Sequence, residues 1–331
     1  MRRTHVAAGI AALATVLVCG LAACGGGSPA GPATRSASSG RAPASVVPVT
    51  TRSAAASQSA TTPSGLSGPR AHLPRGGTKI IGHYRVVAYY GVAGNPSLGV
   101  LGAGSAQHAA RSVIARSRGY AKYGLPVQPA MELIATVAQG SPGPDGDYSN
   151  PLPRAVIEHY LAVAHKYRML LVLDLQPGRA SFLSQAKALK KVLLDPSVGL
   201  GLDPEWKVTH GAPGGGRIGS TTAKGVNDVT GWLSHLVRRH HLPDKLEIVH
   251  EFTTSMIPHR SAVHLRPGVE VTFHADGFGT RAVKRHVFRG LKFPGHPFGT
   301  GFKLFLTQDT HMMRPAQVMT LRPRPDVVTY Q

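Results

Sequence analysis

Cysteine is nearly absent from this chain of 331 residues: Cys19 and Cys24 are the only two, both close to the amino terminus. Beyond residue 24 there can be no disulfide, no thiol nucleophile and no Cys-ligated metal, so the rest of the chain must stand on its core alone. Acid is scarce too. Sixteen Asp and Glu face 37 Lys and Arg, for a net charge of +21, and the first acid is Glu132. With the seven Arg of residues 1–75 set aside, 30 bases still face 16 acids. Outside a cell such a surface would collect lipid headgroups, phosphorylated wall polymers or acidic glycans, unless an Arg-rich composition is its only origin. No apolar run is long enough for a spanning helix. No Gly-x-Gly-x-x-Gly follows the first apolar run, which speaks against a dinucleotide fold, and no Gly-x-Ser-x-Gly elbow supports an esterase. No nucleic-acid recognition motif is present, and no cofactor is expected.

What is present begins with Arg2 and Arg3, followed by an apolar stretch from Val6 to Val18 and then Leu21-Ala22-Ala23-Cys24. This segment resembles a bacterial lipoprotein signal ending in a lipobox. The resemblance implies cleavage after residue 23, a diacylglycerol thioether on Cys24, and residence on the extracytoplasmic face of the cell membrane. Residues 24–77 are rich in Gly, Ser, Ala, Thr and Pro and contain no acid. Such a composition cannot offset its ordering entropy and reads as a disordered tether.

The remainder, 78–331, reads as one domain. Apolar, β-branched-rich runs fall at His83–Tyr90, Met131–Ala138, Met169–Leu175, Val198–Asp203, Lys245–Phe252, Val269–Ala275, Gly301–Thr307 and Asp326–Tyr330. Their near-continuous apolar character suits parallel strands covered on both faces. Helix-period segments lie between them: a run capped by Ser105, then Ala155–Tyr167, Ser181–Leu194 and Thr221–His240, with shorter ones at Met256–Arg260, Arg281–Leu291 and Met313–Leu321. Eight strands alternating with helices predict a (β/α)8 TIM-like barrel, with no eighth helix after the last strand.

A barrel places functional groups at the carboxyl ends of its strands. Polar residues gather there in this sequence: Tyr90, Asp174 and Gln176, Asp203-Pro204-Glu205-Trp206, His250 and Glu251, His274 and Asp276, and Asp309. Strand periodicity puts Asp203 and Glu205 on the face of Gly199 and Gly201, pointing into the barrel mouth, with Asp174 and Gln176 inward on the neighbouring strand. Three acids in one low-dielectric mouth should repel and raise at least one pKa, with Glu205 the least solvated. Val198-Gly199-Leu200-Gly201-Leu202-Asp203-Pro204-Glu205 resembles the fourth-strand motif Asp-Gly-x-Asp-x-Asp-x-Glu of chitinase-type glycoside hydrolases. Gly199, Asp203 and Glu205 match it, while Val198 and Gly201 stand where that family has Asp. The resemblance implies that Glu205 protonates a leaving oxygen and Asp203 assists. More broadly the chain resembles lipid-anchored barrel proteins of high-GC actinobacteria.

Three readings follow. The first is a glycoside-hydrolase-like barrel acting on a cell-wall or environmental glycan, with Glu205, Asp203 and Asp174 catalytic. Tyr90, Gln176, Trp206, His250, Glu251, Asp276 and Asp309 would then contact substrate. The second is a glycan- or wall-binding barrel without chemistry, in which Asp-Pro-Glu merely ends a strand and His250 and His274 are hydrogen-bonded structural groups. The third is a phosphodiesterase-like barrel using His250, Glu251 and Asp276. Trp206 suits either a sugar platform or outer packing. Thr254 stands where a second His would complete a zinc motif after His250-Glu251, so no metal is expected. Asp145 and Asp147 read as a turn, and Gly214–Gly219 as a rim loop.

Overall fold

The computed structural model describes residues 69–331. The signal, Cys24 and nearly all of the expected tether lie outside the described residues. Nine strands form one sheet: β1 Arg85–Gly91, β2 Val127–Ala138, β3 Ser149–Pro151, β4 Leu170–Leu175, β5 Val198–Leu202, β6 Lys245–Glu251, β7 Val269–Ala275, β8 Gly299–Leu304 and β9 Val327–Tyr330. Eight of them are parallel neighbours in the order β1-β2-β4-β5-β6-β7-β8-β9, and β1 pairs with β9 to close the ring. This is a TIM-like (β/α)8 barrel, with β3 as an added antiparallel strand on the end of β2.

The helices are α1 Ala106–Ser117, α2 Arg154–Lys166, α3 Phe182–Ala188, α4 Lys190–Leu193, α5 Ala223–Arg239, α6 Arg281–Gly290 and α7 Pro315–Val318. Side-chain oxygens of Ser105, Ser181, Thr222 and Thr280 accept from the first-turn amides of α1, α3, α5 and α6. Three segments differ from the periodic reading. Ser181–Leu194 divides into α3 and α4, the last crossover shortens to α7, and the expected helix at Met256–Arg260 is replaced by 3-10 turns at Thr254–Met256 and Arg260–Ala262. Among the described residues no helix follows β9.

Alternation along the strands divides the core into two layers. Outward residues such as Met131, Leu133, Leu171, Leu173, Leu200, Leu202, Val271 and Phe273 pack under the helices. Inward residues Val86, Ala88, Ala130, Leu170, Val172, Leu246, Ile248 and Val327 fill the lower half of the barrel. Leu73 and Ile80 join that inner layer. The packed body therefore starts before residue 78, where composition placed the end of the tether. Arg70 donates to the Leu242 carbonyl and pairs with Asp244 at 2.6 Å, and the Ala71 amide donates to His241. A single buried Leu in a polar stretch carries no periodic signal, which is why the boundary was illegible.

Candidate active site in the barrel mouth

Above the apolar floor the inward side chains become polar. Gly201 and Gly301 make room for them. A Cβ on Gly201 would stand 2.7 Å from an Asp174 oxygen, and one on Gly301 would stand 2.1 Å from the His274 ring. Strands β5 and β8 thus carry the same pattern, Gly-x-Gly-x-Asp203 and Gly-x-Gly-x-Lys303, in which small residues admit the charged groups of their neighbours.

Tyr90, Glu132, Asp174, Asp203, His250, His274, Asp276, Lys303 and Thr329 form one buried cluster. His250 lies at its centre. Its Nε2 is 3.0 Å from Glu132 Oε1 and 3.5 Å from Asp174 Oδ1, and its Nδ1 is 3.0 Å from both oxygens of Asp276. Both nitrogens face only carboxylates, so both carry hydrogens and the ring is an imidazolium. Burial opposes that charge, but Asp276 and Glu132 outweigh it, against repulsion from Lys303, and hold the pKa well above the ordinary value. Asp276 Oδ1 also takes His274 Nδ1 at 2.7 Å, and Lys303 Nζ sits 2.7 Å from Asp276 Oδ2. From His274 the chain of hydrogen bonds runs through Nε2 to Thr329 Oγ1 (3.1 Å) and on to Glu132 Oε2 (3.1 Å). The contacts Glu132–His250–Asp276–His274–Thr329–Glu132 close a ring spanning β2, β6, β7 and β9 and the residue after β7, in which the one Thr329 hydroxyl hydrogen serves either Glu132 or an uncharged His274.

The proton inventory follows from these contacts. Burial alone would raise Asp276, yet His250 and Lys303 hold it well below the carboxylate range. Burial likewise opposes ionisation of Glu132, and His250, His274 and Lys303 overcome it to leave the pKa lowered. Lys303 is raised, chiefly by Asp276 and Glu132 acting against burial. Two anions and two cations therefore balance. Burial lowers the pKa of His274, which is the uncharged member.

The remaining three acids are different. Burial pushes Asp174 up to about 6, tempered by His250. Burial and the Asp174 charge push Asp203 well above its ordinary value. Tyr90 Oη lies 3.0 Å from Asp174 Oδ2 and 3.4 Å from Asp203 Oδ2 and accepts from Gln176 Nε2 at 3.3 Å. One phenol hydrogen cannot serve both carboxyls, so Asp203 brings its own proton. Asp174 Oδ1 and Asp203 Oδ1 are buried without a hydrogen-bond partner among the described residues. Glu205 is raised to about 7 by burial and by the Asp276 charge, with Lys303 and His250 opposing. It is half-buried, in reach of water, whereas Asp174 and Asp203 are not.

Several expected positions need correction. The strand stops at Leu202, and Glu205 with Trp206 sits in a 3-10 turn, Pro204–Trp206, so strand parity does not govern Glu205. Proline cannot donate to a ladder and starts the turn instead. Glu205 is also not the least solvated acid: Glu132, Asp174, Glu247 and Glu251 are all fully buried. Glu251 alternates with His250 and points outward, where Arg260 pairs with it. That breaks the His250, Glu251, Asp276 set of a phosphodiesterase. Asp309 does not ring the mouth: it accepts from the Gly279 and Phe305 amides and pairs with Lys284. Gln176 splits its amide, accepting from Ala138 and donating to Tyr90. Trp206 is half-buried, with Gly214 of the rim loop packed near its ring.

Glu132, Lys303 and Thr329 are functional-cluster residues that the sequence reading missed. A Glu inside the apolar run Met131–Ala138 and the second Gly-x-Gly-x-charge pattern were the signals. His250, His274 and Asp276, or Glu132, Asp174 and His250, place donor atoms close enough to share an ion. The Lys303 ammonium already pairs with Asp276, one of the oxygens that a metal would need. Two cavities, of about 380 Å³ beside Phe273 and Phe298 and about 590 Å³ beside Tyr89 and Tyr330, lie against outward-facing strand residues. Neither is lined by the cluster.

No protein-family model matches the chain, and no curated protein matches it. Among solved structures it is similar to a GH5 xyloglucan-specific endo-beta-1,4-glucanase from a metagenomic library, determined with cellotriose. That similarity has 11% identity and a TM-score of 0.40, and covers 69% of this chain and 78% of the other.

Proposed function

We propose that the barrel hydrolyses glycosidic bonds of a cell-wall or environmental glycan while held at the membrane surface through Cys24. The observation that carries this reading is the trio at the mouth. A water-accessible Glu205, with a pKa of about 7, stands in the field of a buried Asp174/Asp203 pair that holds an extra proton. A carboxyl that is substantially protonated at neutral pH can give its hydrogen to a leaving glycosidic oxygen. Water completes the cleavage and restores the acid. Asp203 assists, Asp174 and Tyr90 fix its position, and the imidazolium of His250 favours the ionised form, opposing the burial and mutual repulsion that hold protons on the pair.

Glu205→Gln should lower glycan hydrolysis by about 100-fold or more with an unchanged melting curve, the usual worth of a positioned acid. In the parent, kcat should fall as pH rises through about 7, because the acid form is lost there. Saturable glycan binding with no turnover in the parent would overturn the catalytic reading in favour of a binding barrel. The anchor is tested separately: Cys24→Ser should release the chain from salt-washed membranes, and retention equal to the parent would sink it.

A further inference from the structure

The loops at the two ends of the barrel differ in charge. Loops that enter the strands form the end opposite the mouth, and they are strongly basic. Lys79 precedes β1, Lys122 β2, Arg168 β4, Arg266 β7, Lys292 β8 and Arg324 β9, and all six are exposed. The acids of this end are turned to internal use. Asp244 takes Arg70, Asp195 takes the Ser197 amide and His165, Glu270 takes the Ile80 and Ile81 amides, and Asp326 takes the Thr300 amide. No acid in these loops is exposed. The bases, by contrast, meet each other. Arg75 donates to the Arg168 carbonyl and Arg168 to the Pro74 carbonyl, and burial together with the Arg168 charge depresses the Arg75 pKa. The mouth end carries an exposed acid, Asp145, and the half-buried Asp147 and Glu205 among its bases.

The chain also enters the body at this basic end, where Arg70 is fastened to Leu242 and Asp244 in the loop before β6. The described chain therefore begins, at residue 69, on this basic end. We infer that this end is a docking surface for an anionic phospholipid bilayer, which seats the barrel with its mouth directed away from the membrane. The orientation rests on the anchor reading; the lipid affinity of the face does not. Each Lys or Arg brought against an anionic leaflet strengthens partitioning by about fivefold, and the effect decays within a Debye length of about 10 Å at 0.1 M salt.

The test uses the chain from residue 24 with Cys24→Ser, so that the whole body is kept and no lipid is attached. It should sediment with vesicles containing phosphatidylglycerol and not with pure phosphatidylcholine, and rising salt should release it. Reversing Lys79, Lys122 and Arg324 to Glu removes three positive charges, about 100-fold, and adds three repelled ones, so sedimentation should weaken by well over about 100-fold. Reversing the mouth-end Arg179, Arg217 and Arg314 should leave it unchanged, and matching melting curves establish that both triple variants are folded. No binding to anionic vesicles, binding indifferent to the first triple reversal, or binding only to a phosphorylated wall polymer would each overturn the assignment. Because no acyl group is present, failure here leaves the Cys24 anchor to its own membrane-wash experiment.

Discussion

Lys303→Met removes one cation from the balanced cluster while keeping most of its volume. Lys303 is almost wholly buried, 2.7 Å from Asp276 and 3.7 Å from the Tyr90 ring centre. Truncating one member of such a buried pair leaves the other charge uncompensated, at a cost of about 3–5 kcal/mol. Asp276 keeps His250, so the lower end, about 3 kcal/mol, applies. For a body of this size that corresponds to roughly 6–12 °C in melting temperature. Asp276→Asn should be comparably harmful, because it leaves His250 and Lys303 with Glu132 as their one fully ionised partner. Combining the two restores one cation to one anion, so the double variant should lose at least about 2 kcal/mol less than the sum of the singles. The assay is urea denaturation at pH 7, reading the midpoint at constant slope. A loss under about 1 kcal/mol for Lys303→Met, or strict additivity of the pair, would refute the balanced-cage account.

Two further outcomes follow from buried groups elsewhere in the barrel. Glu247, fully buried on the outward face of β6, bonds only Thr230, and burial raises its pKa to about 8. Its folded pKa lies above its unfolded one, so the stability it withholds grows as pH rises from about 4.5 to 8. Glu247→Gln should be near neutral at pH 5 and stabilise by about 3 kcal/mol at pH 7, read from melts across that range; equal effects at both pH values would contradict the neutral-carboxyl assignment. Gly301→Ala should destabilise by about 1–3 kcal/mol or more through collision with His274, whereas Gly231→Ala in α5, with nothing within 4 Å, should stabilise by about 0.5–1 kcal/mol. Thermal melts decide it, and a harmless Gly301→Ala would mean that β8 does not crowd the ring.

The barrel was legible because its strands are buried on both sides and therefore read as apolar runs, separated by capped helical stretches. Parity then turned Asp174 and Asp203 inward, and position at the carboxyl ends of the strands gathered His250 and Asp276 beside them. Parity failed at Glu205, where Pro204 ends the strand, and the strand-end rule failed at Glu251, which alternates with His250 and faces the other way. Glu132 escaped notice because it sits mid-strand, away from the carboxyl-end loops where functional groups are sought. Its partners explain its burial: His250 and Thr329 are brought to it only by the closed barrel. Lys303 was hidden for a related reason, since a lone Lys in a Gly-rich strand looks like a solvated residue until its neighbours are known.

The ring of polar contacts through Thr329 ties the readiness of the centre to the order of assembly. Thr329 belongs to β9, the last strand in the chain, and β9 meets β1, among the most distant of all pairings in sequence. Joining such remote segments carries a large loop-closure entropy and is a slow kind of contact to make. Until β9 docks, Glu132 and His274 lack their shared hydroxyl and the cluster remains open to water at the β1–β8 seam. Closure of the barrel and drying of the charged cage are then a single event, so a chain interrupted before Thr329 would carry every acid of the mouth and still lack a finished site.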